Sequence, residues 1–151
     1  MNLTPADAGA YGRMWGLSTY LADSRIVVDL GKLSGGKPGL CAWSMPEVIG
    51  RNVALILEKD RNTRAAVFVS APGFWTVLGA WSGGVPHSVG SGLYEAYSVA
   101  FSASGVLRLP DPGDAAEWVQ YSLPDRRLPP DWFVSMAVDM AARISSTVGR
   151  S

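Results

Sequence analysis

Residues 44–71 read SMPEVIGRNVALILEKDRNTRAAVFVSA, where a three-and-four-residue apolar rhythm gives way to a continuous apolar run. Val48, Ile49, Val53, Ile56 and Leu57 keep that rhythm and predict one face of a helix; Arg51, Asn52, Glu58 and Lys59 fall largely on the other. Ser44 and Glu47 stand in capping-box register, with Pro46 in the first turn, where a missing N–H costs nothing. Asn62 supplies a left-handed stop, and residues 65–71 follow as a buried strand.

The same pattern analysis extends to both ends of the chain. Thr4, Pro5 and Asp7 open an N-terminal helix striped by Ala10, Met14, Leu17 and Leu21, although Gly9, Gly12 and Gly16 weaken it by roughly 1 kcal/mol each. Residues 25–30 and 39–43 are apolar enough for two strands. Residues 74–81 combine Phe, Trp, Thr and Val into a strand that pairs antiparallel with 65–71 across Pro72-Gly73. Residues 83–92 form the longest structureless stretch. Residues 93–103 fit both periods and are taken as a strand, paired with 106–109 across Ser104-Gly105. Residues 117–123 stay open between helix and strand, and residues 124–130 form a proline-bounded linker that displays Arg126 and Arg127.

Asp131 then caps a C-terminal helix. Phe133, Met136, Ala137, Met140 and Ile144 make its apolar stripe, expected to face the core. The fold class is therefore α+β: a single domain with an antiparallel β-sheet covered by N-terminal, central and C-terminal helices.

Composition narrows the function. A chain of 151 residues, 48% hydrophobic and 17% charged, can bury a sizeable core and is not disordered. Thirteen basic and thirteen acidic residues cancel, so no long-range field draws it to nucleic acid or an anionic membrane. One cysteine, Cys41, excludes an intramolecular disulfide. With no signal-peptide pattern and no apolar run of about 18 residues, a cytoplasmic location is expected.

Candidate chemistry is sparse. Residues 31–37 match G-x-x-x-x-G-K, but a phosphate-binding loop needs a hydroxyl after the lysine and then a helix; Pro38 and a strand stand there instead. Cys41, inside an apolar strand with no cation nearby, reads as an inert thiol. His87 is the sole histidine, and G-x-S-x-G is absent. Asp29, Asp111, Asp114 and Glu117 are mostly explained by turns and caps. No catalytic set, cofactor or metal site is expected.

Six tryptophans remain to be explained. Aromatics beside glycine-rich loops, with a few arginines, are the composition of protein interfaces. The expectation is a non-enzymatic protein-binding factor of bacterial or phage origin: an inhibitor, an immunity-type protein or a chaperone. Trp75, Trp81, His87, Tyr94, Arg126 and Arg127 are its expected contact residues. The partner is another protein, and a homodimer is compatible with the sequence. The alternative is a small-molecule-binding domain or an unrecognised enzyme, with a pocket between sheet and helices closed by residues 83–92.

Overall fold

The structure, a computed structural model, describes residues 19–31, 39–59, 66–110, 118–120 and 128–148. Strands β1 (Thr19–Ala22), β2 (Arg25–Asp29) and β3 (Gly39–Pro46) precede helix α1 (Glu47–Leu57). The hairpin β4 (Ala66–Ala71) and β5 (Phe74–Trp81) leads to two single helical turns, α2 (His87–Gly90) and α3 (Leu93–Ala96). Short strands β6 (Ala100–Ser102), β7 (Val106–Arg108) and β8 (Trp118–Gln120) come before the long helix α4 (Asp131–Val148).

The strands form two antiparallel sheets, β6-β3-β5-β4-β8 and β1-β2-β7. Strand periodicity sends Cys41, Trp43 and Met45 to one face of the larger sheet and Leu40 and Ala42 to the other. Both faces are buried. On the first, α1 and α4 supply Ile49, Val53, Leu57, Val134, Ala137, Val138 and Ala141. On the second, Ile26 and Val28 of β2, together with Leu109, pack against Leu40, Phe68 and Leu78. The molecule is thus α+β in three layers, helices over a five-stranded sheet over a three-stranded one. Burying each such Leu, Ile, Val or Phe stabilises it by about 1.5–3 kcal/mol.

Several expectations change. The N-terminal helix as far as Leu17, Asn62 and the glycine-rich segment 32–38 lie outside the described residues, whereas Leu21, expected on that helix, lies in β1, paired with Ile26 of β2. The capping box does not form, because β3 continues through Ser44 to Pro46 and holds Ser44 opposite Thr76 and Ala100. The first helical N–H of α1, that of Glu47, donates instead to Gly73 O in the β4–β5 turn at 2.9 Å. Glu47 spends its carboxylate on Arg51, 2.6 Å away on the surface.

Residues 93–103 are not one strand. Val99 N donates to Tyr94 O at 2.8 Å, closing a helical turn, and Ser98 at φ 57° redirects the chain into β6. Residues 106–108 pair with β2 rather than with 93–103, because Leu30 N reaches Gly105 O at 2.9 Å and draws the chain into the second sheet. Residues 118–120 are strand, on the edge beside β4. Asp131 is the first helical residue and not the cap; Pro130 O receives Phe133 N and Val134 N.

The stripe assigned to the core side of α4 is also corrected. Val134, Ala137, Val138, Ala141 and Ala142 are buried, whereas Met136, Met140 and Ile144 are exposed. The small-residue face turns inward, which lets α4 lie close to the sheet and leaves the longer side chains outside.

Close approach also fixes α1. A Cβ on Gly50 would stand 2.9 Å from both Cβ and Cε3 of Trp75. Alanine ordinarily gains about 1 kcal/mol over glycine inside a helix. Here the obstacle includes a Cβ next to the β5 backbone, and overpacking costs typically about 1–3 kcal/mol. Gly50→Ala should therefore lower stability by up to about 2 kcal/mol, read as a reduced denaturant midpoint with an unchanged slope. A midpoint at or above that of the wild type would show that α1 can move away from Trp75.

Candidate functional site: a groove along the outer face of α4

Residues 82–88 leave the end of β5 and run along the outer face of α4. Two carboxylates of α4 hold this loop. Asp131 Oδ2 accepts bonds from Ser82 N at 2.9 Å and Ser82 Oγ at 2.7 Å. Two turns later, about 12 Å along the axis, Asp139 Oδ1 accepts from Ser88 Oγ at 2.8 Å. Ala80 N donates to Pro129 O at 2.9 Å, so the start of α4 is also tied to β5 through the backbone. The Ser82 bonds are exposed to water, which limits what each contributes, and the Ser88 bond is partly buried.

Between loop and helix lies a groove of about 570 Å³. Val85, Pro86 and His87 line its loop side; Trp132, Met136 and Met140 line its helix side. Asp131, Asp139 and Arg143 add charge along the same helix. Trp132 is 66% exposed, Met136 44%, Met140 45% and Ile144 45%, which makes an apolar row at four-residue spacing on a helix whose opposite face already fills the core. Val85, at 68%, extends the patch across the groove.

Beneath the groove the helix is anchored by a buried polar link. Trp43 Nε1 donates to Tyr94 Oη at 3.1 Å, and Tyr94 Oη lies 3.4 Å from Ser135 Oγ. Burial, above all, raises the Tyr94 phenol above its ordinary pKa, and nearby Asp139 adds to that; the contacts with Ser135 and Trp43 work the other way. The hydroxyl stays protonated and serves as structure.

The expected contact residues divide. His87 is exposed on the groove wall. Trp81 is half-buried, and its indole N–H is taken by Gly84 O at 2.7 Å, which shapes the loop. Trp75 is a correction: only 8% exposed, it packs under α1 with the Arg51 guanidinium 5.6 Å from its ring. Tyr94 is a second correction, 3% exposed and joined to Trp43. Both rings belong to the core because helical elements cover the sheet positions they face. Arg126 and Arg127 lie outside the described residues.

The reading of positions 83–92 as structureless also changes, since 87–90 form the helical turn α2. Trp132, Met136 and Met140 were not among the expected contacts. The signal for them was an α4 with two apolar rows, one small and one large, when a surface helix needs only one.

Ser82 and Ser88, at the two ends of the loop, are both bonded to carboxylates of α4. Ser88 donates to Asp139 and is itself buried, so this pair ties the loop to the helix. Among the described residues no group of three His, Cys, Asp or Glu side chains converges as a metal site.

Cys41 is fully buried, its Sγ lies 3.5 Å from Gly79 O, and burial pushes its pKa from 9.0 up to about 12. A folded-state pKa raised above the unfolded value gives stability that is complete below pH 9.0 and is lost as pH climbs toward about 12. The urea midpoint should fall across that window, less steeply in Cys41→Ala, and the native thiol should resist a thiol reagent at pH 8. Rapid labelling of the folded protein would refute the buried assignment. No protein-family model, curated protein or solved structure matches the chain, which leaves the chemistry of the groove to carry the functional reading.

Proposed function

We propose that this protein is a non-enzymatic binding factor that holds another protein against the α4 groove, acting in the cytoplasm of a bacterium or a phage-infected cell as an inhibitor, immunity-type protein or chaperone. One observation carries the reading: the exposed row Trp132, Met136, Met140 and Ile144, opposite a core face that is already complete. Contiguous apolar surface of this kind marks an interaction site. An indole provides a large anchor at low entropic cost, and methionines adapt to an irregular partner surface. Stapling the loop through Asp131 and Asp139 sets one wall of the groove before binding, so less order is lost on docking. No helix of the described residues is long and apolar enough to cross a membrane.

A small apolar ligand is the second reading, favoured by a groove volume of about 570 Å³, inside the range of roughly 300–1,000 Å³ typical of ligand pockets. Its place differs from the pocket expected under the helices, where Trp43, Trp75 and Tyr94 belong to the buried cluster between helices and sheet.

Affinity capture from the native host tests the first reading. Wild type should retain a stoichiometric protein, and Trp132→Ala should weaken it by about 2 kcal/mol, roughly thirtyfold, with an unchanged circular dichroism spectrum. Equal capture by Trp132→Ala and by Met136→Glu/Met140→Glu would place the interface elsewhere. A ligand-dependent rise in melting temperature that these substitutions abolish, with no protein captured, would favour the small-molecule reading.

A further inference from the structure

Met136 and Met140 stand one turn apart on α4, each with nearly half of its surface in solvent, and both line the groove beside the loop. Side chains at this spacing are neighbours, about 5–6 Å apart at Cβ. Met45 is the opposite case: it is fully buried on β3, inside the cluster between helices and sheet. The described residues thus hold two thioethers that water reaches and one that it does not. Met1 and Met14, the other methionines of the chain, lie outside the described residues.

Exposure decides the reactivity of a thioether, because its sulfur needs no ionisation before it attacks an oxidant, whereas a thiol does. Cys41 offers no competing thiolate: it is fully buried, and its pKa is pushed up to about 12. A peroxide that reaches the groove therefore meets sulfur at Met136 and Met140. The sulfur lone pair attacks one peroxide oxygen, an S–O bond forms and the O–O bond breaks. The departing hydroxide takes the proton of the transferred hydroxyl and leaves as water. Each sulfur loses two electrons, and the peroxide gains them.

The position of these sulfurs sets the consequence. Oxidising a core methionine places a polar oxygen among apolar atoms and disrupts the packing. Neither Met136 nor Met140 packs in the core. Helix α4 rests on the sheet through Val134, Ala137, Val138 and Ala141, and the loop is tied to it through Asp131 and Asp139. Water solvates the new oxygens, so these contacts persist. The row Trp132, Met136, Met140 and Ile144, by contrast, loses its two middle apolar members.

We infer that Met136 and Met140 form a paired, reversible oxidation site, at which a peroxide turns the groove from apolar to polar while the fold stands. Methionine sulfoxide reductases, one for each sulfoxide epimer, restore the thioethers. As a control over partner binding the site rests on the binding reading; as a modification site it needs only the exposure of the two sulfurs.

Treating the full chain with hydrogen peroxide tests it, with peptide mass mapping, urea denaturation and retention on a phenyl column as readouts. Met136 and Met140 should gain oxygen at least about tenfold faster than Met45. The urea midpoint should hold while column retention falls, and the two reductases should return the retention to its starting value. Met136→Leu/Met140→Leu keeps the row apolar without sulfur, so peroxide should leave its retention unchanged. Should that variant fail to fold, the single leucine variants serve, each keeping part of the response. Oxidation of Met45 as fast as the pair, unfolding once the pair is oxidised, or retention in the wild type that ignores peroxide overturns the inference. So does retention that falls equally in the leucine variant.

Capture of a host protein separates this site from the binding reading. Where Trp132 carries capture, the oxidised protein should bind at least about tenfold more weakly, because two new polar groups must be desolvated; undiminished capture overturns the control. Capture that ignores Trp132→Ala defeats the binding reading and leaves the oxidation map as it was. Oxidation spread evenly over the methionines defeats the oxidation site and leaves capture through Trp132 untouched.

Discussion

The contact between Trp43 and Gly79 sets the spacing of the helical layer. Trp43 is fully buried on β3 and reaches across to β5, where a Cβ on Gly79 would come within 2.8 Å of its Cζ3. The indole therefore occupies the space above Gly79, and Val134 of α4 closes over the same point, with its Cγ2 3.4 Å from that Cβ position. A buried indole N–H must also find an acceptor, and the Tyr94 hydroxyl supplies it. That requirement explains why α3 forms where the sequence suits a strand equally well. A helical turn at 93–96 carries Tyr94 into the core, and an extended segment there would have alternated its side chains between faces.

From that contact the character of α4 follows. A helix resting on Val134, Ala137, Val138, Ala141 and Ala142 sits close to the sheet, and close packing leaves no volume for two thioethers on the same side. Met136 and Met140 must then point outward. Their exposure is the counterpart of a core already filled by Trp43, Tyr94 and the small side chains of α4. The row also runs past the loop staple to Ile144, farther than the loop needs for its own packing, and so a surface remains that nothing in the described chain covers.

Much of the architecture was legible in the sequence because it rests on local rules. The apolar rhythm of 48–57 and the run at 66–71 announce α1 and β4 whatever surrounds them, and Pro72-Gly73 announces the hairpin that follows. What local rules could not supply was the choice between equivalents. Ser44 and Glu47 satisfy a capping box on paper, but β3 gains more from three further ladder positions than the helix gains from a side-chain cap, once Gly73 O offers the Glu47 N–H a backbone partner. Residues 106–108 suit a hairpin with the segment before them, but a second sheet offered a longer partner in β2. On α4 the sequence shows two apolar rows and no way to rank them, because the ranking depends on how near the sheet stands. The candidate site was legible only in part for the same reason: His87 and the loop stand out by composition, whereas the spacing of Met136, Met140 and Ile144 suits a core stripe and gives Trp132 no place of its own.

The staple between loop and helix bears on how the groove would work. Asp131 and Asp139 each give one carboxylate oxygen to a serine of the β5–α2 segment, and these bonds are spaced at the two ends of the loop's run. Both lie at or near the surface, where water competes and the net contribution of each is modest. Between them Val85 is held in solvent, which is unfavourable for an isolated loop and favourable only when something apolar arrives. A loop fixed at both ends cannot collapse onto Met136 and Met140 to hide them. The same bonds that order the segment therefore keep the groove open, and the apolar area left uncovered is the driving force available to whatever docks there.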